Sequence, residues 1–262
     1  MKVVRRNCRQ GAEDARGLTV IIDVFRAFTC APLFFHCGTE RVILEADPER
    51  ARRLKRGNPG WILVGEINEM PLKDADLGNS PSGIMEKGTL FFKGRTVIHR
   101  TTAGVTGVAA AVTTADEVIP GSFVMAKAIS SYIKERDPDI VTLVAMGDRG
   151  ERPAPEDEAC ADYLEHLLTG TVYNPVEAIR KVIFQQTAQK FLRGEKAYLP
   201  PEDPLICLQR DLRRRTAKYD QKPECFGVAE INKIRGVENP DQWRGHRLCP
   251  GQPGNAPGRG RI

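Results

Sequence analysis

No stretch of the 262-residue chain is a run of roughly 18 apolar residues, the length a membrane helix needs, so none is predicted to span a bilayer. The opening segment, MKVVRRNCRQGAED, has basic charge but no apolar core or small-residue cleavage site, and is not read as a signal peptide. No pair of cysteines forms a CxxC. The seven cysteines are an odd number, and several sit inside apolar runs, which points to reduced thiols in a cytoplasmic protein and away from disulfides or a zinc knuckle. The four histidines, His36, His99, His166 and His246, show no metal-ligand spacing. His166 reads as a surface residue on a helix. His99 reads as a strand residue facing a helix, with a place near the site as the alternative. There is no Walker A lysine, no GxGxxG turn and no GxSxG elbow. Charge of one sign is scarce too: 39 Lys and Arg against 34 Asp and Glu leave a net charge of +5, a weak argument for a nucleic-acid partner.

What is present is enough to fold. Apolar residues make up 41% and charged residues 28%, which excludes a wholly disordered chain and allows one full core or two small ones. Short β-branched runs alternate with helical stretches. Strands are predicted over Leu18–Val24, Arg41–Ala46, Trp61–Gly65, Thr96–Thr101, Ala115–Pro120 and Ile140–Met146. Asp47-Pro48-Glu49 opens a helix to about Arg56, the Ala-rich Gly104–Thr113 packs closely on a sheet, and Ser122 caps a helix to about Arg136. Later helices are predicted over Pro155–Leu168, from Asn174 to about Arg193, and from Asp203 to about Lys218. The alternation implies an α/β fold, a three-layer α/β/α sandwich with a mostly parallel sheet and a helical C-terminal part. One domain is expected over residues 1–237, followed by a Gly-, Pro- and Arg-rich tail over 238–262 that reads as mobile.

In such sheets ligands bind beyond the carboxyl ends of the strands. The first predicted strand ends in Asp23-Val24-Phe25-Arg26, an acid and a guanidinium that can hold a metal and a phosphate, or simply a helix cap with an ion pair. Gly65-Glu66 ends the third, where a carboxylate either converges with Asp23 or is a solvated loop acid. Leu77–Gly83 reads as a tight turn in which Asn79 can donate hydrogen bonds, or as an ordinary loop. Arg100-Thr101-Thr102-Ala103-Gly104 joins strand to helix in the manner of an anion cradle, with backbone amides and a fixed cation; a helix-packing glycine is the plain alternative. Glu156-Asp157 opens a helix, where acids favour the helix dipole and can also ligate Mg²⁺.

Taken in order, IDVFRAFT (Ile22–Thr29), Gly65-Glu66, DLGNSP (Asp76–Pro81), RTTAGV (Arg100–Val105) and Glu156-Asp157 resemble the 2-phosphosulfolactate phosphatase family over roughly residues 15–235. The resemblance implies an α/β/α sandwich and a Mg²⁺-dependent acid phosphatase that hydrolyses 2-phospho-3-sulfolactate, a step towards coenzyme M in methanogens. The chain departs from the family pattern at three places. TTNGT becomes Thr101-Thr102-Ala103-Gly104-Val105, GER becomes Gly65-Glu66-Ile67, and Asp162 replaces a glycine six positions after Glu156.

With this resemblance, Asp23, Glu66 and Asp157 are the expected Mg²⁺ ligands, directly or through water. Arg26, Asn79, Arg100, Thr101, Thr102 and Gly104 are expected to hold substrate, and Asp23 and Glu156 to act in catalysis, Glu156 as general base or supporting acid. Arg149 is a further cation for a substrate with several negative groups. A covalent aspartyl-phosphate at Asp23 is disfavoured, because Phe25 stands where the haloacid-dehalogenase pattern has a second Asp. The expected partner is a small phosphorylated acid, with no membrane or nucleic acid and with homo-oligomer formation allowed. Two rivals stand beside this reading. Ala103 and Ile67 suit a phosphometabolite-binding protein that has lost catalysis, and the basic cluster Arg210, Arg213, Arg214, Arg215, Lys218 with the Arg-rich tail suits an RNA-associated protein.

Overall fold

The computed structural model describes residues 1–212. Its strands are β1 (Lys2–Asn7), β2 (Leu18–Ile22), β3 (Arg41–Leu44), β4 (Ile62–Ile67), β5 (Met70–Pro71), β6 (Thr96–Arg100), β7 (Glu117–Gly121) and β8 (Ile140–Ala145). Its helices are α1 (Cys8–Glu13), α2 (Ala27–His36), α3 (Pro48–Gly57), α4 (Pro81–Phe92), α5 (Gly104–Ala111), α6 (Ala126–Arg136), α7 (Pro155–Thr169), α8 (Pro175–Ile183), α9 (Gln186–Leu192) and α10 (Asp203–Cys207), with a 3₁₀ turn at Phe123–Met125.

The strands divide into two four-stranded sheets, in the order β1-β8-β2-β7 and β3-β6-β4-β5. The first sheet is parallel throughout. The second is parallel except for β5, which pairs antiparallel with β4. All five residues of β2 are buried, as an apolar run covered on both faces requires. Helices α1 and α5 pack together on one face of the first sheet, and α7 covers the other beside α6. The outer strands show edge chemistry: β1 carries Lys2, Arg5 and Arg6, and β7 carries Pro120.

The second sheet is also layered by alternation. Ile62, Val64 and Val97 join Leu33 and Phe34 of α2 and Ile84 and Phe92 of α4 in one cluster. Leu63 and Ile98 point the other way, onto Ala51 and Leu54 of α3. Each fully buried Ile, Leu or Phe contributes about 1.5–3 kcal/mol by leaving water, so these period-two faces lock the register of β4 against β6.

The α/β class, the parallel pairing and the flanking helices agree with the sequence. Several local expectations do not hold. Asn174 does cap a helix, accepting from the amides of Val176 and Glu177, but the chain turns extended at Gln185 and splits the stretch into α8 and α9. The helix from Asp203 stops at Cys207, and residues 213–218 lie outside the described residues. The Ser122 hydroxyl donates to the carbonyl of Phe28 and caps no helix. The presumed loop after Leu77 opens α4 instead, with Ser80 accepting from the Gly83 amide and Pro81 in the first turn. Cys8, Cys30, Cys37, Cys160 and Cys207 are free thiols; Cys225 and Cys249 lie outside the described residues, as does the expected boundary at residue 237. Among the described residues no helix is long and apolar enough to cross a membrane.

Candidate active site

The chain leaves the first sheet after β2, builds the second, and returns through β6 and α5 to β7. The turns after β2 and β6 therefore meet where the two sheets adjoin, and the ends of β4 and β8 open on the same place. A cleft of about 600 Å³, counted out to its solvent mouth, lies there. Asp23, Glu66, Glu156 and Asp157 all line it, so residues distant in sequence share one wall.

Backbone amides hold three of these carboxylates. Asp23 Oδ1 accepts from the Ala27 amide at 3.0 Å and its Oδ2 from the Gly104 amide at 2.7 Å. Asp157 Oδ1 accepts from the Val24 amide and Oδ2 from the Gly147 amide, both at 2.7 Å, which ties α7 to the ends of β2 and β8. Glu66 accepts from the Thr102 amide at 2.5 Å, the Thr102 hydroxyl at 2.9 Å and the Glu69 amide at 2.7 Å. Glu156 differs, because its buried Oε2 has no hydrogen-bond partner.

Removing this many acids from water without matching cations is costly. Burial pushes Asp23 up to about 6, with the charge of Glu66 adding to it and the two amides opposing it. Burial pushes Glu156 up to about 7 against the opposing charge of Lys190. Asp157 is raised well above the usual carboxylate range, by burial first and then by the charges of Glu156 and Asp23. Six carboxylates line the cleft (Asp23, Glu66, Glu69, Asp148, Glu156, Asp157), against Arg26, Arg149 and Lys190. The wall carries an excess of negative charge.

The expected substrate-holding residues divide. Arg26, Asn79 and Thr102 line the cleft; Arg100, Thr101 and Gly104 stand behind it. The Arg100 guanidinium donates to the carbonyls of Glu66 and Ala46, so its charge fastens β4 to β6 and does not project as a free cation. Thr101 Oγ1 accepts from the Val105 amide in the first turn of α5. The amides of Thr102 and Gly104, expected to cradle phosphate, already donate to Glu66 and Asp23. The expected anion cradle is therefore filled by the protein's own carboxylates, the same acids expected to bind metal. Gly104 is required for this approach: a Cβ there would lie 2.8 Å from Asp23 Oδ2 and 3.0 Å from Ala27 Cβ.

Arg26 is buried and engaged. Its Nη1 donates to Asp203 Oδ2 at 2.9 Å and to the Tyr198 carbonyl at 3.0 Å, and its guanidinium stacks 5.2 Å over the Phe191 ring. Asp203 Oδ1 accepts from Ser80 Oγ, the Ser82 amide and Ser82 Oγ at 2.9, 3.0 and 2.6 Å. Asn79 is set by His99: Nε2 of the buried imidazole lies 3.0 Å from Asn79 Oδ1, which fixes the amide of a residue that lines the cleft. Burial pushes His99 down to about 3, and its Nδ1 has no partner, as fits a neutral ring protonated at Nε2.

Sequence reasoning passed over Asn68, Glu69, Thr187, Lys190 and Phe191 in the lining, and Asp203 behind Arg26. Asp203 read only as a helix start. Glu69, Lys190 and Phe191 belong to segments with no motif, and only the fold brings them to the cleft. Of the three departures from the family pattern, Ala103 lines the cleft, Ile67 is exposed beside the β4–β5 turn, and Asp162 is exposed and ion-paired with Arg5, outside the cleft lining. Arg210 contributes no open basic face, since its guanidinium stacks on Phe123, Tyr163 and Tyr173; Arg213, Arg214, Arg215, Lys218 and the tail lie outside the described residues.

A family model described as 2-phosphosulpholactate phosphatase matches residues 6–197, most of the chain. The chain belongs to this family, one of phosphoric monoester hydrolases. A Bacillus subtilis protein named a probable 2-phosphosulfolactate phosphatase is 28% identical over 193 residues, 72% of this chain and 81% of that one. Relatives with the same printed name from Carboxydothermus hydrogenoformans and Thermoplasma acidophilum are 33% and 30% identical, over 61% and 63% of this chain and 63% and 71% of theirs.

The family resemblance implies Mg²⁺, and the donor set can be tested for it. Among the described residues no group of three or more His, Cys, Asp or Glu is arranged to hold an ion, so Asp23, Glu66 and Asp157 form no ready three-ligand shell. Mg²⁺ does not need one, because it binds through one or two carboxylates and keeps waters and substrate phosphate oxygens as its other ligands. Hard oxygen donors, excess negative charge and the unpartnered Glu156 Oε2 fit such an ion.

Proposed function

We propose that this chain is a Mg²⁺-dependent phosphatase for phosphate monoesters of small hydroxy acids, 2-phospho-3-sulfolactate or a close relative among them. The observation that carries this reading is the carboxylate excess of a cleft at the strand ends in a chain of this family. A phosphate dianion entering such a wall is repelled unless a divalent cation accompanies it.

When bound, Mg²⁺ would neutralise phosphate charge and polarise the phosphoryl group. Asp23 and Asp157 are the residues that would hold it, with Glu66 reaching it through water. The Asn79 amide, held by His99, donates to a phosphate oxygen, and Arg26, whose charge is balanced by Asp203, lines the same wall as an N–H donor. Glu156 Oε2, which no donor occupies, accepts a proton from the water that attacks phosphorus. The ester P–O bond breaks, and the leaving alkoxide takes a proton from solvent. Both Asp23 oxygens accept backbone N–H bonds, which suits a fixed ligand better than a nucleophile that must approach phosphorus.

Ala103 supports a second reading, a binder of phosphorylated metabolites without turnover, because it brings no side-chain donor to the cleft. Phosphate release from a panel of phosphorylated hydroxy acids separates the two. Wild type with Mg²⁺ is expected to release phosphate, while wild type with EDTA and Asp23→Asn with Mg²⁺ are not. Equal release in all three overturns the Mg²⁺ site at Asp23, no release from any ester overturns the phosphatase reading, and a thermal shift with esters but no release favours the binder.

A further inference from the structure

Lys190, on α9, lies across the cleft mouth from the β4–β5 turn, where Asn68 and Glu69 both adopt left-handed backbone. Its ammonium is ion-paired with the carboxylate of Glu69. Only 20% of the Lys190 side chain is exposed, against 46% of Arg149, so its charge is screened less by solvent. The other cation of the cleft, Arg26, is neutralised by a fully buried Asp203. Lys190 is thus the lining cation that is both largely desolvated and paired with a partner on an exposed turn.

We infer that Lys190 is a specificity residue that binds a second acid group of the substrate, and that Glu69 occupies this position when substrate is absent. The inference rests on the phosphatase reading and adds to it the residue that selects phosphate esters carrying a carboxylate or sulfonate. The free protein already presents an oxyanion to this ammonium, and a substrate acid group is a ligand of the same chemical kind. Exchange of one for the other keeps Lys190 paired and releases Glu69 to water, where its charge costs little. An ester lacking the second acid has nothing to exchange. The carboxylate excess of the wall makes Lys190 the more valuable, because an unpaired acid on a ligand is otherwise repelled there.

The test compares 2-phospholactate with isopropyl phosphate, which replaces the carboxylate by methyl. In wild type the ratio of kcat/KM values is expected to favour 2-phospholactate. Lys190→Gln is expected to lower that ratio by about tenfold or more, the loss of one charged hydrogen bond. Lys190→Arg is expected to retain most of it, and Glu69→Gln to lower KM for 2-phospholactate by freeing the ammonium. A ratio unchanged in Lys190→Gln, or an equal loss on both esters, overturns the inference. Wild type that hydrolyses neither ester defeats the phosphatase reading alone, and calorimetric Kd values for 2-phospholactate then decide. Binding about tenfold weaker to Lys190→Gln supports the inference; equal Kd values, or no binding to wild type, overturn it.

Discussion

The ion pair between Arg26 and Asp203 gives the sharpest quantitative expectation. Asp203 is fully buried and Arg26 is 4% exposed, and the carboxylate also collects three donors from Ser80 and Ser82 at the start of α4. The pair joins the turn after β2, the first turn of α4 and the short α10, three segments far apart in the chain. Asp203→Asn keeps the volume and removes the charge. The guanidinium then keeps only neutral hydrogen-bond partners, the Tyr198 carbonyl and the new amide oxygen, in a low-dielectric site. Breaking a buried pair from one side costs about 3–5 kcal/mol, because the remaining charge keeps its full desolvation penalty. At a urea slope of about 2 kcal/mol per molar, the unfolding midpoint should fall by roughly 2 M. The double variant Arg26→Met with Asp203→Leu removes both charges and should be more stable than Asp203→Asn. Urea titrations of wild type, Arg26→Met, Asp203→Leu and the double form the cycle, and coupling of about 3 kcal/mol is expected. Additive losses, or an Asp203→Asn variant within about 1 kcal/mol of wild type, would refute the reasoning.

Three further outcomes follow from the geometry. Gly104→Ala drives a methyl onto Asp23 Oδ2 and Ala27 Cβ and should cost about 1–3 kcal/mol in thermal or urea unfolding, with loss of phosphate release as Asp23 shifts. His99 is held near 3 in the fold, so below about pH 6.5 the unfolded chain takes a proton that the folded ring refuses. Its contribution is intact above pH 6.5 and is lost as pH falls towards 3, at about 1.4 kcal/mol per pH unit; His99→Phe should flatten that limb of a stability–pH profile. If His99 also aims Asn79, then His99→Phe and Asn79→Ala lower kcat/KM non-additively, whereas additive losses would leave His99 a packing residue only.

The parts of the fold that were legible in the sequence are those with strong local periodicity. The run Leu18–Ile22 could only be a covered strand, and Asp47-Pro48-Glu49 and Asn174-Pro175 could only open helices. Asp23 and Glu66 stand at strand ends and Asp157 in the first turn of α7, where the parallel-sheet rule allowed them a common rim without requiring it. The division into two sheets was hidden, because a parallel strand does not record which neighbour it will pair with. β1 was hidden because its basic residues mark an edge strand only once β8 is known to lie beside it. The break at Gln185 has no proline or glycine to announce it. The anion cradle failed on a tertiary contact: Thr102 and Gly104 do present amides, but Glu66 and Asp23 reach them first. Asp203, Glu69 and Lys190 carry no local signal, because each has its role only through a partner more than 100 positions away.

The central claim is that this carboxylate-rich cleft takes up a phosphate ester together with a divalent cation. Calorimetric titration of 2-phospholactate into the chain, with Mg²⁺ and with EDTA, tests it most directly. Binding should require Mg²⁺ in wild type and vanish in Asp23→Asn; binding of equal strength in EDTA, or in Asp23→Asn, would contradict it.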